Sequence, residues 1–96
     1  MADKIRVNYA ALEDMAKHCQ TVASQLQQTA QTANKMAAQM QNGALVGKPG
    51  DAFVQALGVL AQRTMKLSGK FVEVSNDIKQ AMSDMQAADS SAGGNF

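Results

Sequence analysis

Two apolar seams, each confined to one side of a helix, constrain this chain more than anything else in it. Leu12, Met15, Cys19, Val22, Leu26, Thr29, Ala33, Met36 and Met40 follow one another at alternating steps of three and four residues. Phe53, Leu57, Leu60, Thr64, Leu67, Phe71, Val74, Ile78, Ala81 and Met85 repeat the pattern with the opposite phase. Such alternation keeps a stripe on one face of an α-helix over many turns. Between the seams, Asn42 to Gly50 holds the only Gly/Pro cluster before the C-terminal residues. The chain therefore reads as all-α: one antiparallel helical hairpin. A lone hairpin cannot cover both of its own stripes, so the pattern predicts pairing into a four-helix-bundle dimer.

The boundaries follow from local chemistry. Asn8 suits an N-cap, because its side chain can accept from a free amide of the first turn. The first helix is expected over about 9–41, or roughly 50 Å at 1.5 Å per residue. From Gln20 to Gln41 its polar positions carry Gln, Thr, Ser and Asn, with Lys35 as the one charge. Asn42 and Gly43 supply a C-cap, since glycine enters the left-handed region without steric cost. A loop is expected over about 42–48. Pro49 and Asp51 suit the first turn of a second helix over about 49–88. Gly58 and Gly69 inside it weaken it by about 1 kcal/mol each relative to Ala, and close helix approach would explain them. Residues 89–96, with Ser90, Ser91, Gly93 and Gly94, read as a flexible tail. Residues 1–96 make a single domain.

Composition narrows the function classes. Net charge is +1, which gives no strong pull toward nucleic acid or acidic lipid. No stretch approaches the roughly 20 apolar residues of a membrane span. Asp3, Glu13 and Asp14 break up the segment where a cleavable signal peptide would sit. The chain is expected to be made and folded in the cytoplasm, and any export must use another route.

Chemistry is hard to assemble from these residues. Cys19 is the only cysteine and sits in the first seam, where it reads as a small buried hydrophobe. His18 is its neighbour, about 100° away around the helix, so the pair cannot share a metal readily. Gly43 to Lys48 brushes against a phosphate-binding loop. It has one residue too few between its glycines, and Pro49 stands where Ser or Thr would touch magnesium. Glu73 and Asp77, with Lys66 and Lys70 at helical spacings, read as a solvated ion-pair face. No cofactor, metal or catalytic site is expected. Met15, Met36, Met40, Met82 and Met85 fall mostly on the seams, as filling or as an adaptable partner surface.

Leu45-Val46-Gly47, then Pro49, then Phe53, resembles in spacing the Trp-x-Gly-x-Ala-x-x-x-Phe segment of the WXG family. These are the hundred-residue, early-secreted-antigen-like (ESX) substrates of type VII secretion systems. Gly47 and Phe53 match that segment, while Leu45 stands in place of Trp and Pro49 in place of Ala. Met85-Gln86-Ala87-Ala88-Asp89 resembles the family's Tyr-x-x-x-Asp/Glu export motif, with Asp89 matching and Met85 in place of Tyr. Ile5 to Asn8, followed by a helix led by Leu12, resembles the family's start.

The resemblance implies a hairpin that pairs antiparallel with a second copy or with a related small helical protein. It also implies secretion after recognition by the membrane ATPase of a type VII system. Leu45, Gly47, Met85 and Asp89 would then form a two-part signal, with Phe53 completing the turn segment. The expected dimer seam comprises Leu12, Met15, Cys19, Val22, Leu26, Met36, Met40, Leu57, Leu60, Leu67, Phe71, Val74 and Ile78. Both seams are complete in one chain, which favours a homodimer without closing the choice. The alternative is a non-secreted cytoplasmic helical adaptor or structural dimer. A membrane-active hairpin would need a basic face with apolar anchors, and neither is present.

Overall fold

The computed structural model describes residues 8–44 and 48–94, and these form an antiparallel helical hairpin. Helix α1 spans Tyr9–Gln39, a kinked turn with non-helical backbone at Gly43 spans Met40–Ala44, and helix α2 spans Lys48–Gly94. Asn8 caps α1 as its chemistry predicts: its backbone is extended (φ −88°, ψ 90°), and the Ala11 amide donates to its side-chain oxygen at 3.0 Å. The helix ends two residues before the expected Gln41. There the Met40 amide donates to the carbonyls of both Ala37 and Met36, and the chain enters the turn. Gly43 has φ 133°, a conformation an L side chain rarely adopts, so the glycine of this turn has a steric reason.

Helix α2 begins at Lys48, which puts Pro49 and Asp51 in its first turn. It continues to Gly94 rather than ending near Ala88. The expected flexible tail from residue 89 is thus helical over most of its length, because extending a formed helix adds one bond per residue fixed.

The two helices do not meet along the large apolar side chains. They meet along small ones spaced seven residues apart. Ala16, Ala23 and Ala30 on α1 are buried, as are Ala61, Ser68 and Ser75 on α2. Ser68 Oγ donates to the Ala23 carbonyl at 2.7 Å, and Ser75 Oγ donates to the Ala16 carbonyl at 2.9 Å. Seven residues forward on one helix answer seven residues back on the other. Ala30 and Ala61 continue the line and form one cluster with Ala33, against which Leu57 packs. A seven-residue repeat keeps such a line between two helices in contact. Small side chains let the backbones approach closely, which is what brings a serine hydroxyl within reach of a carbonyl on the other helix.

Gly58 and Gly69 play no part in that approach. A Cβ placed on either would meet nothing within 4 Å, so the close contacts expected there belong to Ala and Ser instead.

The contact line should tolerate bulk poorly. Ala23→Leu should destabilise the protein by about 1–3 kcal/mol through forced separation of the helices. Ser24→Leu, one residue away and exposed, should stay within about 0.5 kcal/mol. Urea unfolding monitored by helicity measures both.

Candidate functional site

The alanine–serine line sets the rotation of both helices, and rotation decides what is left uncovered. Leu12, Cys19, Leu26, Ala33 and Met40 lie three residues beyond the contact positions of α1; Met15, Val22, Thr29 and Met36 lie one before them. On α2, Leu57, Thr64, Phe71, Ile78 and Met85 take the first offset, and Phe53, Leu60, Leu67, Val74 and Ala81 take the second. Equal offsets on two antiparallel helices turn to the same side of the pair. Both seams therefore share one face of the hairpin.

That face is the candidate site. Met15, Met36, Phe53, Leu60, Leu67, Val74 and Met85 are between 40% and 54% exposed. Leu12, Cys19, Val22, Leu26, Met40, Leu57, Phe71 and Ile78 are half-buried. None of the large seam residues is fully buried, so the expected core is a surface flanking a thinner core of alanine and serine. Thr29 is exposed, and its hydroxyl donates to the Gln25 carbonyl one turn back. A shallow apolar depression of about 230 Å³ lies at the middle of α2, lined by Leu67, Lys70, Phe71 and Val74.

The opposite side has a different character. Gln20, Gln27, Asn34 and Gln41 line it on α1, facing Met65 and Val72 on α2. An open groove of about 500 Å³ lies there, lined by Asn34, Ala61, Gln62, Met65 and Lys66.

The ion-pair face expected at Lys66, Lys70, Glu73 and Asp77 does not form. Among the described residues, the salt bridge is Lys17–Glu13 at 3.7 Å, on α1. No group of three or more His, Cys, Asp or Glu among the described residues could hold a metal ion. No helix among them is long and apolar enough to cross a membrane.

At the open end of the hairpin, the Tyr9 hydroxyl donates to the Asp89 carboxylate, joining residues 80 positions apart. The sequence placed Asp89 at the edge of a loose tail; the structure holds it inside α2 against the first turn of α1. No apolar periodicity signals this contact: the register that sets Ala16 opposite Ser75 puts Tyr9 level with Met82, one heptad before Asp89. Met85, one turn before Asp89, is exposed. Of the turn segment, Phe53 is exposed at 47%, while Leu45 and Gly47 lie outside the described residues.

The chain matches the model of WXG100, proteins of 100 residues with WXG, over residues 4–90. It belongs to the WXG100 family. This places it among small helical proteins of the type VII secretion class. No curated protein and no solved structure matches it.

For this WXG100 protein, the contact between Tyr9 and Asp89 has a measurable signature. The hydrogen bond to the carboxylate, aided by burial and by the negative charge of Asp89, holds the Tyr9 phenol above its ordinary 10.0. A raised folded-state value means that the contact stabilises in full below pH 10.0 and is lost as pH rises through the raised value. Tyr9 is the only tyrosine, so absorbance of the phenolate reports it alone. Its midpoint should lie above 10.0 and fall back toward 10.0 in Asp89→Ala. A midpoint at or below 10.0 in the parent would mean that the contact does not form in solution.

Proposed function

We propose that this protein is a small non-catalytic substrate of a type VII secretion system, or a partner for such substrates, and that it acts as a dimer formed through its apolar face. Family membership supports the secretion class. The single observation that carries the dimer is the uncovered stripe of Met15, Phe53, Leu60, Leu67, Phe71 and Val74 beside a core of alanine and serine.

Magnitudes point the same way. A buried CH₂ or methyl group contributes about 0.8 kcal/mol, against about 1.5–3 for a fully buried Val, Leu, Ile, Phe or Met side chain. The hairpin alone collects mainly the smaller contributions and leaves the larger ones half in water. A partner of the same length and pattern would recover them, whether a second copy or a related helical protein.

Met85 and Asp89 are the proposed export element, read by the membrane ATPase of the system, with Leu45, Gly47 and Phe53 as the turn element on the partner. The carboxylate would act by contact with that receptor. The protein would reach the outside of the cell folded.

Sedimentation at micromolar concentration should give about twice the 10.2 kDa chain mass. Leu60→Asp or Phe71→Asp should give monomers with reduced helicity, because each would bury an unpaired charge at the interface. Gln27→Asp and Gln31→Asp, away from the apolar face, should leave the dimer intact. Equal damage from both pairs would place the interface elsewhere.

Export is tested separately in a host with a working type VII system. Asp89→Ala should remain dimeric and lose secretion. Tyr9→Phe removes the same hydrogen bond but keeps the carboxylate, and it should still be secreted. If Asp89→Ala is exported as well as the parent, this element is not the signal.

A further inference from the structure

Asp89 stands in the row of α2 that faces α1. Steps of seven from Ala61 reach Ser68, Ser75, Met82 and then Asp89. Ala61, Ser68 and Ser75 are buried, and both serines donate to carbonyls of α1. Met85 belongs to a neighbouring row, on the apolar face. Asp89 is therefore turned about 40° from Met85, toward α1.

Helix α1 begins one heptad short of Asp89. Tyr9 is its first residue and is level with Met82, so Asp89 lies about 10 Å further on at 1.5 Å per residue. Side chains on a helix lean toward its N-terminus. In an antiparallel pair, Tyr9 thus leans off the start of α1, and Asp89 leans back toward it. The phenol spans the remaining gap, and its hydroxyl donates to the carboxylate.

Residues 83–94 of α2 run past the start of α1. Among the described residues, the hydrogen bond joining this stretch to α1 is the one from Tyr9; the bond from Gln80 to Asp84, at 3.0 Å, lies within α2. The end of the stretch is a poor helix by its own chemistry. Ser90, Ser91, Gly93 and Gly94 have low helix propensity. The charge of Asp89 opposes the dipole near a helix C-terminus. A single contact at Asp89 therefore has leverage on the order of the residues after it.

We propose that Tyr9 and Asp89 form an autoinhibitory latch. Closed, it keeps the end of α2 helical and the Asp89 carboxylate occupied by a donor of its own chain. A receptor that reads Met85 and Asp89 must first displace the Tyr9 hydroxyl. This rests on the reading of Met85 and Asp89 as the export element, and adds the means by which the chain withholds it. A latch closed about nine-tenths of the time weakens apparent receptor affinity about tenfold, because only the open fraction binds. A hydrogen bond to a charged group is strong enough for that.

The test compares four variants with the parent. Tyr9→Phe removes the donor and keeps the ring. Tyr9→Arg offers the carboxylate a bidentate, oppositely charged partner and closes the latch harder. Gln80→Ala, a control, breaks the hydrogen bond within α2 and leaves the latch alone. Asp89→Ala tests the export element itself. Two readouts are taken: ¹⁵N relaxation of the amides of residues 90–94, and the initial rate of secretion from a host with a working type VII system.

Tyr9→Phe should make those amides mobile on the ps–ns timescale and speed secretion by about three- to tenfold. Tyr9→Arg should keep them rigid and slow secretion below the parent rate. Gln80→Ala should match the parent in both readouts. Amides as rigid in Tyr9→Phe as in the parent, or secretion that Tyr9→Phe does not speed, would overturn the latch while Asp89→Ala remains blocked and the export element stands. The same holds if Tyr9→Arg is secreted as fast as the parent, or if Gln80→Ala reproduces Tyr9→Phe. Secretion of Asp89→Ala at the parent rate would remove the export element, and the latch with it.

Discussion

The contact between small side chains along the inside of the hairpin determines the rest of the structure. Ala16, Ala23 and Ala30 face Ser75, Ser68 and Ala61, and two serine hydroxyls reach carbonyls of the other helix. Had the large residues occupied this line, the hairpin would have a thicker core and a polar exterior. With alanine and serine there instead, both rows of large residues are displaced to one side. The surface available for a partner is thus a geometric consequence of how the hairpin closes on itself.

The serines do more than fit. Alanine against alanine is tolerant of sliding, because a methyl group has no directional demand. A hydroxyl buried between helices does: left without an acceptor it would cost roughly 1–3 kcal/mol. Any slip other than a whole heptad would strand Ser68 and Ser75. A slip of a whole heptad is opposed by the turn, where Gly43 closes the connection at φ 133°, and by Tyr9 meeting Asp89 at the far end. No buried side-chain polar atom among the described residues lacks a hydrogen-bond partner, as this register requires.

Much of this was legible in the residues. The two periodic seams, the Asn8 cap, the glycine in the turn and the proline after it placed both helices and the fold back between them. The rotation of the helices was not legible. Periodicity locates an apolar stripe, and the obvious stripe is the one with Leu, Met and Phe. Alanine carries little hydrophobic weight, so the line Ala16–Ala23–Ala30 stands out less than the seams although its spacing is strictly heptad. Ser68 and Ser75 carry no apolar signal, and their acceptors lie some fifty residues away in sequence, beyond the reach of any local pattern. The same logic misassigned Gly58 and Gly69, since a need for close approach is met equally well by alanine. The end of α2 was misjudged because Ser and Gly are read by composition, whereas continuation of an existing helix is governed by propagation.

The uneven division of side chains between the two jobs has a consequence for stability. Residues that hold the hairpin closed contribute little each, and those that could contribute most are half exposed. Folding and the proposed partner binding would then draw on one set of side chains, so that the stability of the helices would be linked to occupancy of the apolar face. A chain arranged this way would resist unfolding while paired and become easier to open once separated. The interior fixes the register of each hairpin by directional hydrogen bonds. The outer face, built of Met, Leu, Val and Phe with few polar atoms, has no comparable device of its own.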